Sequence, residues 1–91
     1  MSHPEARAKW QSVMDVLRQQ VSPAAFRMWF ETLQLHEVTD AHLVLYAENA
    51  LALAALNTRF RTLIQRAAAT EFIQPITLAA RPEAAASYKG N

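Results

Sequence analysis

Ser22-Pro23-Ala24-Ala25-Phe26-Arg27-Met28-Trp29-Phe30-Glu31-Thr32-Leu33 is the stretch around which the chain is organised. It reads as a helix start followed by an aromatic face. A serine hydroxyl accepts one of the free N–H groups at a helix N-terminus. Pro23 suits the first helical position, where its missing N–H removes no bond. Phe26, Trp29, Phe30 and Leu33 then recur at i, i+3, i+4 and i+7, which gathers them on one side of a helix. Three of the eight aromatic residues lie there. In a small domain that side forms the centre of the core.

Upstream, Trp10, Val13, Met14, Leu17 and Val21 repeat at helical spacing and predict a first helix from near Pro4 to about Gln20. Proline disfavours helical backbone at the residue before it, so this helix stops by Ser22 and turns a corner into the second. Trp10 sits one turn inside the first helix, either as a lid on the core or as a contact surface. Downstream of Leu33 the period changes to two. Leu33 to Val38 and His42 to Ala47 read as strands around the turn Thr39-Asp40-Ala41, with Leu43, Leu45 and Ala47 on one face. So short a connection implies an antiparallel hairpin.

Asn49 is the next N-cap, and an alanine-rich helix runs from Ala50 to about Thr70. Its buried stripe is Ala52, Leu56, Phe60, Leu63, Ile64 and Ala67; Leu51 and Leu53 lie off it. Phe72 to Leu78 is a third strand, which Pro75 places at an edge or just ahead of the ladder. The order helix, helix, strand, strand, helix, strand is that of an α+β domain, three helices on a three-stranded sheet. It spans residues 1–79, and residues 80–91 read as a tail or the start of a linker.

Several chemistries are excluded by composition. The 91 residues contain one glycine, Gly90, whereas a P-loop, a dinucleotide fingerprint and a GXXG clamp each need at least two at fixed spacing. With no cysteine there is neither a disulfide framework nor a thiolate metal site. His3, His36 and His42 lack metal-ligand spacing, and no nucleophile triad or carboxylate pair stands out. The reading is a non-enzymatic domain without metal or cofactor. The longest uncharged run, Asn49 to Thr58, is far shorter than a membrane span. The polar N-terminus is unlike a secretory leader, so a soluble, cytoplasmic domain is expected. Net charge is +1, but between Glu48 and Glu71 there is no acid, while Arg59, Arg61 and Arg66 occur there. They make either a modest basic strip for nucleic acid or a solvated helix face.

Trp10-Gln11, Leu17, Ser22-Pro23-Ala24-Ala25-Phe26 with Trp29-Phe30, Leu33, the strand Leu43-Val44-Leu45-Tyr46-Ala47, Asn49, and Arg59-Phe60 to Ile64 form a set. Over about residues 8 to 79 that set resembles the N-terminal domain of the bacterial chromosomal replication initiator DnaA. The resemblance implies a fold similar to a type II KH domain, used as a protein-interaction hub. Such a domain self-associates, helps load the replicative helicase DnaB, receives species-specific regulators and touches single-stranded DNA weakly. The family tryptophan matching Trp10 lies on the self-association surface, which implies an exposed Trp10 with Val13 and Lys9 beside it; the one matching Trp29 is in the core.

A second family surface lies where helix two faces the start of helix three, and it uses an acid and an aromatic. Here those positions are Ala25 and Leu51. Losing the acid removes a charge-assisted contact, and leucine cannot stack on a base. What remains is a partner contact through Asn49, Leu51 and Leu53, or packing of these leucines against helix two or the tail. The initiator's ATPase and helix-turn-helix parts are absent from these residues, so the chain reads as an isolated N-terminal segment. The alternatives are a single-strand-binding module using Arg59, Arg61 and Arg66, and a stand-alone regulator of the initiator.

Overall fold

The computed structural model describes residues 4–82. Helices α1 (Pro4–Gln20), α2 (Pro23–Ala25), α3 (Ala50–Ala55) and α4 (Arg61–Ala68) accompany strands β1 (Gln34–Val38), β2 (Leu43–Ala47) and β3 (Ile76–Ala80). Two π turns, Phe26–Phe30 and Leu56–Phe60, continue α2 and join α3 to α4. Three helical rods thus accompany one small sheet, the α+β class expected.

The corner between α1 and α2 is built as its sequence implies. Ala25 N–H donates to Ser22 Oγ at 3.1 Å, with Pro23 in the first helical turn. The wide turn that follows closes where Glu31 N–H donates to Phe26 O at 2.9 Å, five residues back. Its aromatic face packs inward: Phe30 is fully buried, 6.0 Å from the Phe26 ring and 5.1 Å edge-on from Phe60. Trp29 is half-buried against the same core.

The second wide turn has a readable cause. Ala52, Leu56, Phe60, Ile64 and Ala68 recur every four residues, and all pack in the core or against it. In an ideal helix each such step runs about 40° past a full turn, so the stripe would wind away from the core. A turn holding one more residue takes back part of that drift. Phe60 then stays in line to meet Phe30.

The sheet order is β1-β2-β3. β1 and β2 pair antiparallel as a hairpin, with Leu35 opposite Leu45 and a bulge between Leu35 and Glu37. β2 and β3 are parallel, with Leu45 opposite Leu78. They are joined through the α3–α4 rod, the kind of crossover that parallel neighbours need. Leu43, Leu45 and Ala47 point into the single core, with Leu17, Phe30, Leu56 and Ile64.

The third strand starts four residues later than expected, at Ile76, and ends two residues later, at Ala80. Phe72 is buried, but it follows α4 in a turn where its N–H donates to Ala68 O at 2.8 Å. Ile73, beside it, is 97% exposed. Pairing starts after Pro75, whose carbonyl accepts the Leu43 N–H at 2.9 Å. The sheet also outruns the expected boundary at residue 79: Ala80 is the last residue of β3, and Arg81 N–H donates to Ala47 O at 2.9 Å. His3 and residues 83–91 of the expected tail lie outside the described residues. Among the described residues, no helix is long and apolar enough to cross a membrane.

Candidate interaction surfaces

The beginning of α3 carries the first surface. Asn49 is extended, with φ −158° and ψ 179°, and its Oδ1 accepts the Ala52 N–H at 2.8 Å. This cap fixes the first helical turn and so fixes where Leu51 and Leu53 point. Ala52 faces the core, which turns its neighbour Leu51 outward: Leu51 is 74% exposed. Leu53 is half-buried against the core. The two leucines therefore divide: Leu53 contributes to packing, whereas Leu51 does not. On α2, Ala25 is half-buried and offers no charge.

The second surface is a groove of about 670 Å³ between α1 and β1, lined by Ala6, Arg7, Trp10, Gln11 and Met14 from the helix and by residues of β1 from the strand. The exposed tryptophan implied by the resemblance is corrected here. Trp10 is 6% exposed and Val13 is 0%, because both belong to the stripe by which α1 packs on the core. Trp10 is a lid on the core, and it also lines the groove. Lys9 is exposed, and its Nζ lies 5.9 Å from the Phe72 ring centroid.

The three arginines do not form one strip. Arg61 is half-buried; it donates to Asn57 Oδ1 at 2.9 Å and, at 3.4 Å, to the carbonyl of Ile76, the first residue of β3. That guanidinium ties the helix to the sheet. Arg59 lies over the Phe60 ring at 5.3 Å and is exposed, as is Arg66.

The two described histidines are apart in role. His36 stacks on Tyr46 with centroids 4.3 Å apart, while His42 Nδ1 lies 3.0 Å from Thr77 Oγ1. Among the described residues no cluster of three or more histidines and carboxylates could hold a metal ion.

Sequence reasoning missed two exposed side chains. Met28, 66% exposed, falls outside the i, i+3, i+4 pattern of Phe26, Trp29 and Phe30, and that spacing was the available signal. Ile73 was assigned to a strand, and only the position of Pro75 pointed otherwise. The unpaired edge of β1 was the larger omission, since it depends on the order of strands in space.

A family model described as the DnaA N-terminal domain matches residues 7–70, well over half of the chain. The match runs from the first turns of α1 past the end of α4, so it includes Met28, β1 and the start of α3, and it ends before Ile73.

Proposed function

This chain belongs to the DnaA N-terminal domain family and is a replication-initiator domain; on that premise we propose that it works as a protein-interaction module. Through the start of α3 it receives the replicative helicase DnaB or an initiation regulator, and through the α1–β1 groove it associates with itself. The observation that carries the reading is Leu51, a large apolar side chain held in solvent on an ordered, capped helical turn. Burying a leucine in a partner's pocket is worth about 1.5–3 kcal/mol, enough for a hot spot.

The chemistry of the partner follows from the residues around it. Ala25 offers no charge and Asn49 presents a polar amide, so the complementary surface is apolar with a hydrogen-bonding rim. Leu53 supports the patch from below. On the other side, Lys9 contributes an exposed ammonium at the rim of α1, while Trp10 and Val13 hold the helix in place beneath. No catalytic group or cofactor enters this reading. A domain serving chromosome replication works in the cytoplasm.

Leu51→Asp tests the proposal. It is expected to abolish capture of purified helicase or regulator while leaving the melting temperature unchanged, because the side chain contributes little to packing. Undiminished capture by the variant would refute the assignment. Weak single-stranded DNA contact is a second reading, favoured by the exposed guanidinium groups of Arg59 and Arg66.

A further inference from the structure

Among the described residues β1 has one neighbour in the sheet, so the backbone groups along its other edge meet none of the described strands. Natural edge strands are commonly blunted by lysine, proline or a covering loop. The five residues of β1, Gln34-Leu35-His36-Glu37-Val38, contain neither lysine nor proline, and the groove beside them is open. Short length, charge and bulges also blunt edges, and β1 has five residues and a bulge between Leu35 and Glu37. The bulge places His36 and Glu37 on the face away from the core: His36 lies over Tyr46, and its Nε2 is 3.8 Å from Glu37 Oε1. Leu35 and Val38 remain opposite Leu45 and Leu43, both of which point into the core.

We infer that a second copy of this chain docks on β1, strand against strand and antiparallel, about a two-fold axis between His36 and Glu37. The inference rests on the self-association proposed above and gives it a site and a register. In this register His36 faces the partner's Glu37 and Glu37 faces the partner's His36. On the other face Leu35 meets the partner's Val38, and the reverse. The segment Leu-His-Glu-Val is thus complementary to its own reversal. Shifting the axis onto His36 sets two imidazoles together and puts leucine against carboxylate. Moving it onto Glu37 opposes two carboxylates, which is destabilising.

An added strand occupies the groove side of β1, where α1 lines the same space, so the contact is continuous with the Trp10 region. Pairing along so short a strand buries less than the roughly 800 Å² per partner of a standard interface. The dimer is therefore weak and concentration-dependent.

Sedimentation velocity over a wide concentration range, on the wild type, His36→Glu, Glu37→Lys and an equimolar mixture of the two variants, tests the inference. Each variant alone is expected to dimerise roughly tenfold more weakly, because both facing pairs lose their complementarity. The mixture is expected to regain wild-type association, since each variant then supplies the charge that the other lacks. Both positions are exposed, and melts of each variant verify the fold. As a measurement free of substitution, hydrogen exchange at Leu35 and Val38 in the wild type should slow as concentration rises. A wild-type dimer indifferent to both substitutions and to mixing overturns the β1 site but leaves self-association standing. A monomer at every concentration overturns both, while the Leu51 surface is judged separately by helicase capture.

Discussion

Replacing Asn49 by alanine separates a helix cap from a partner contact. Two backbone donors at the start of α3 depend on this residue. Leu53 N–H donates to Asn49 O at 2.9 Å, a bond that any side chain preserves. Ala52 N–H donates to Oδ1 at 2.8 Å, a bond that alanine deletes. Ala52 is buried, so its freed N–H reaches water poorly. The loss therefore falls in the upper part of the usual range for a cap, about 1–2 kcal/mol. For a domain of this size that lowers the melting temperature by roughly 5–15 °C. Thermal unfolding followed by circular dichroism, with a urea titration at unchanged slope, reads the effect. Asn49→Asp keeps an acceptor and adds a favourable charge at the helix N-terminus, so it should melt at or above the wild type. Helicase capture by Asn49→Asp then reports whether the amide Nδ2 touches a partner. Loss of capture in a fully stable variant assigns it a contact; full capture leaves it a cap. An alanine variant that melts with the wild type would refute the capping argument.

Trp10→Ala should cost about 3–5 kcal/mol in a urea titration, because a core ring is lost, whereas Trp10→Phe should keep most of the stability. A Trp10→Ala protein as stable as wild type would mean that the ring is not packed. Single-strand affinity, if carried by Arg59 and Arg66, should vary with salt at a log–log slope of roughly −1.4, each substitution by alanine removing about 0.7. Arg61→Ala should leave that slope alone and lower the melting temperature. An equal fall in slope for Arg61→Ala would contradict its attachment to Ile76.

Elements whose signals lie within a few residues were legible. Ser22-Pro23 marks the corner, Asn49 marks the cap, and Leu43, Leu45 and Ala47 mark the strand, each by chemistry that acts over one turn or one pleat. What depends on distant partners was not. Phe72 reads as a strand residue because aromatic side chains favour sheets, but α4 captures it through Ala68 before any ladder can form. The parallel pairing of β2 with β3 is decided by the crossover between them. For Trp10, the stripe of α1 pointed inward and the family pattern outward. Burial prevailed because a domain this small has little core to spare. The candidate surfaces divide similarly. Leu51 was visible as an apolar residue off the stripe, whereas the β1 edge exists only once three strands have an order.

The exposed large apolar residues among those described are Met28, Leu51 and Ile73, and each is next to a residue that packs inward: Trp29, Ala52 and Phe72. This arrangement separates recognition from stability. The inward neighbour holds the backbone, so the outward side chain can change size or charge while the core keeps its contacts. At such a position, as at Leu51, a substitution changes the exposed surface without altering the fold. β1 obeys a different rule. Its contact would use backbone groups and the order Leu-His-Glu-Val, so a change at one position must be matched at another to keep the register. Partner surfaces of the Leu51 kind are therefore free to vary one residue at a time, whereas an edge that pairs with its own copy is constrained in pairs. The reciprocal design of His36→Glu with Glu37→Lys detects that constraint, because two weakened variants restore one complex when position 36 of one copy meets position 37 of the other.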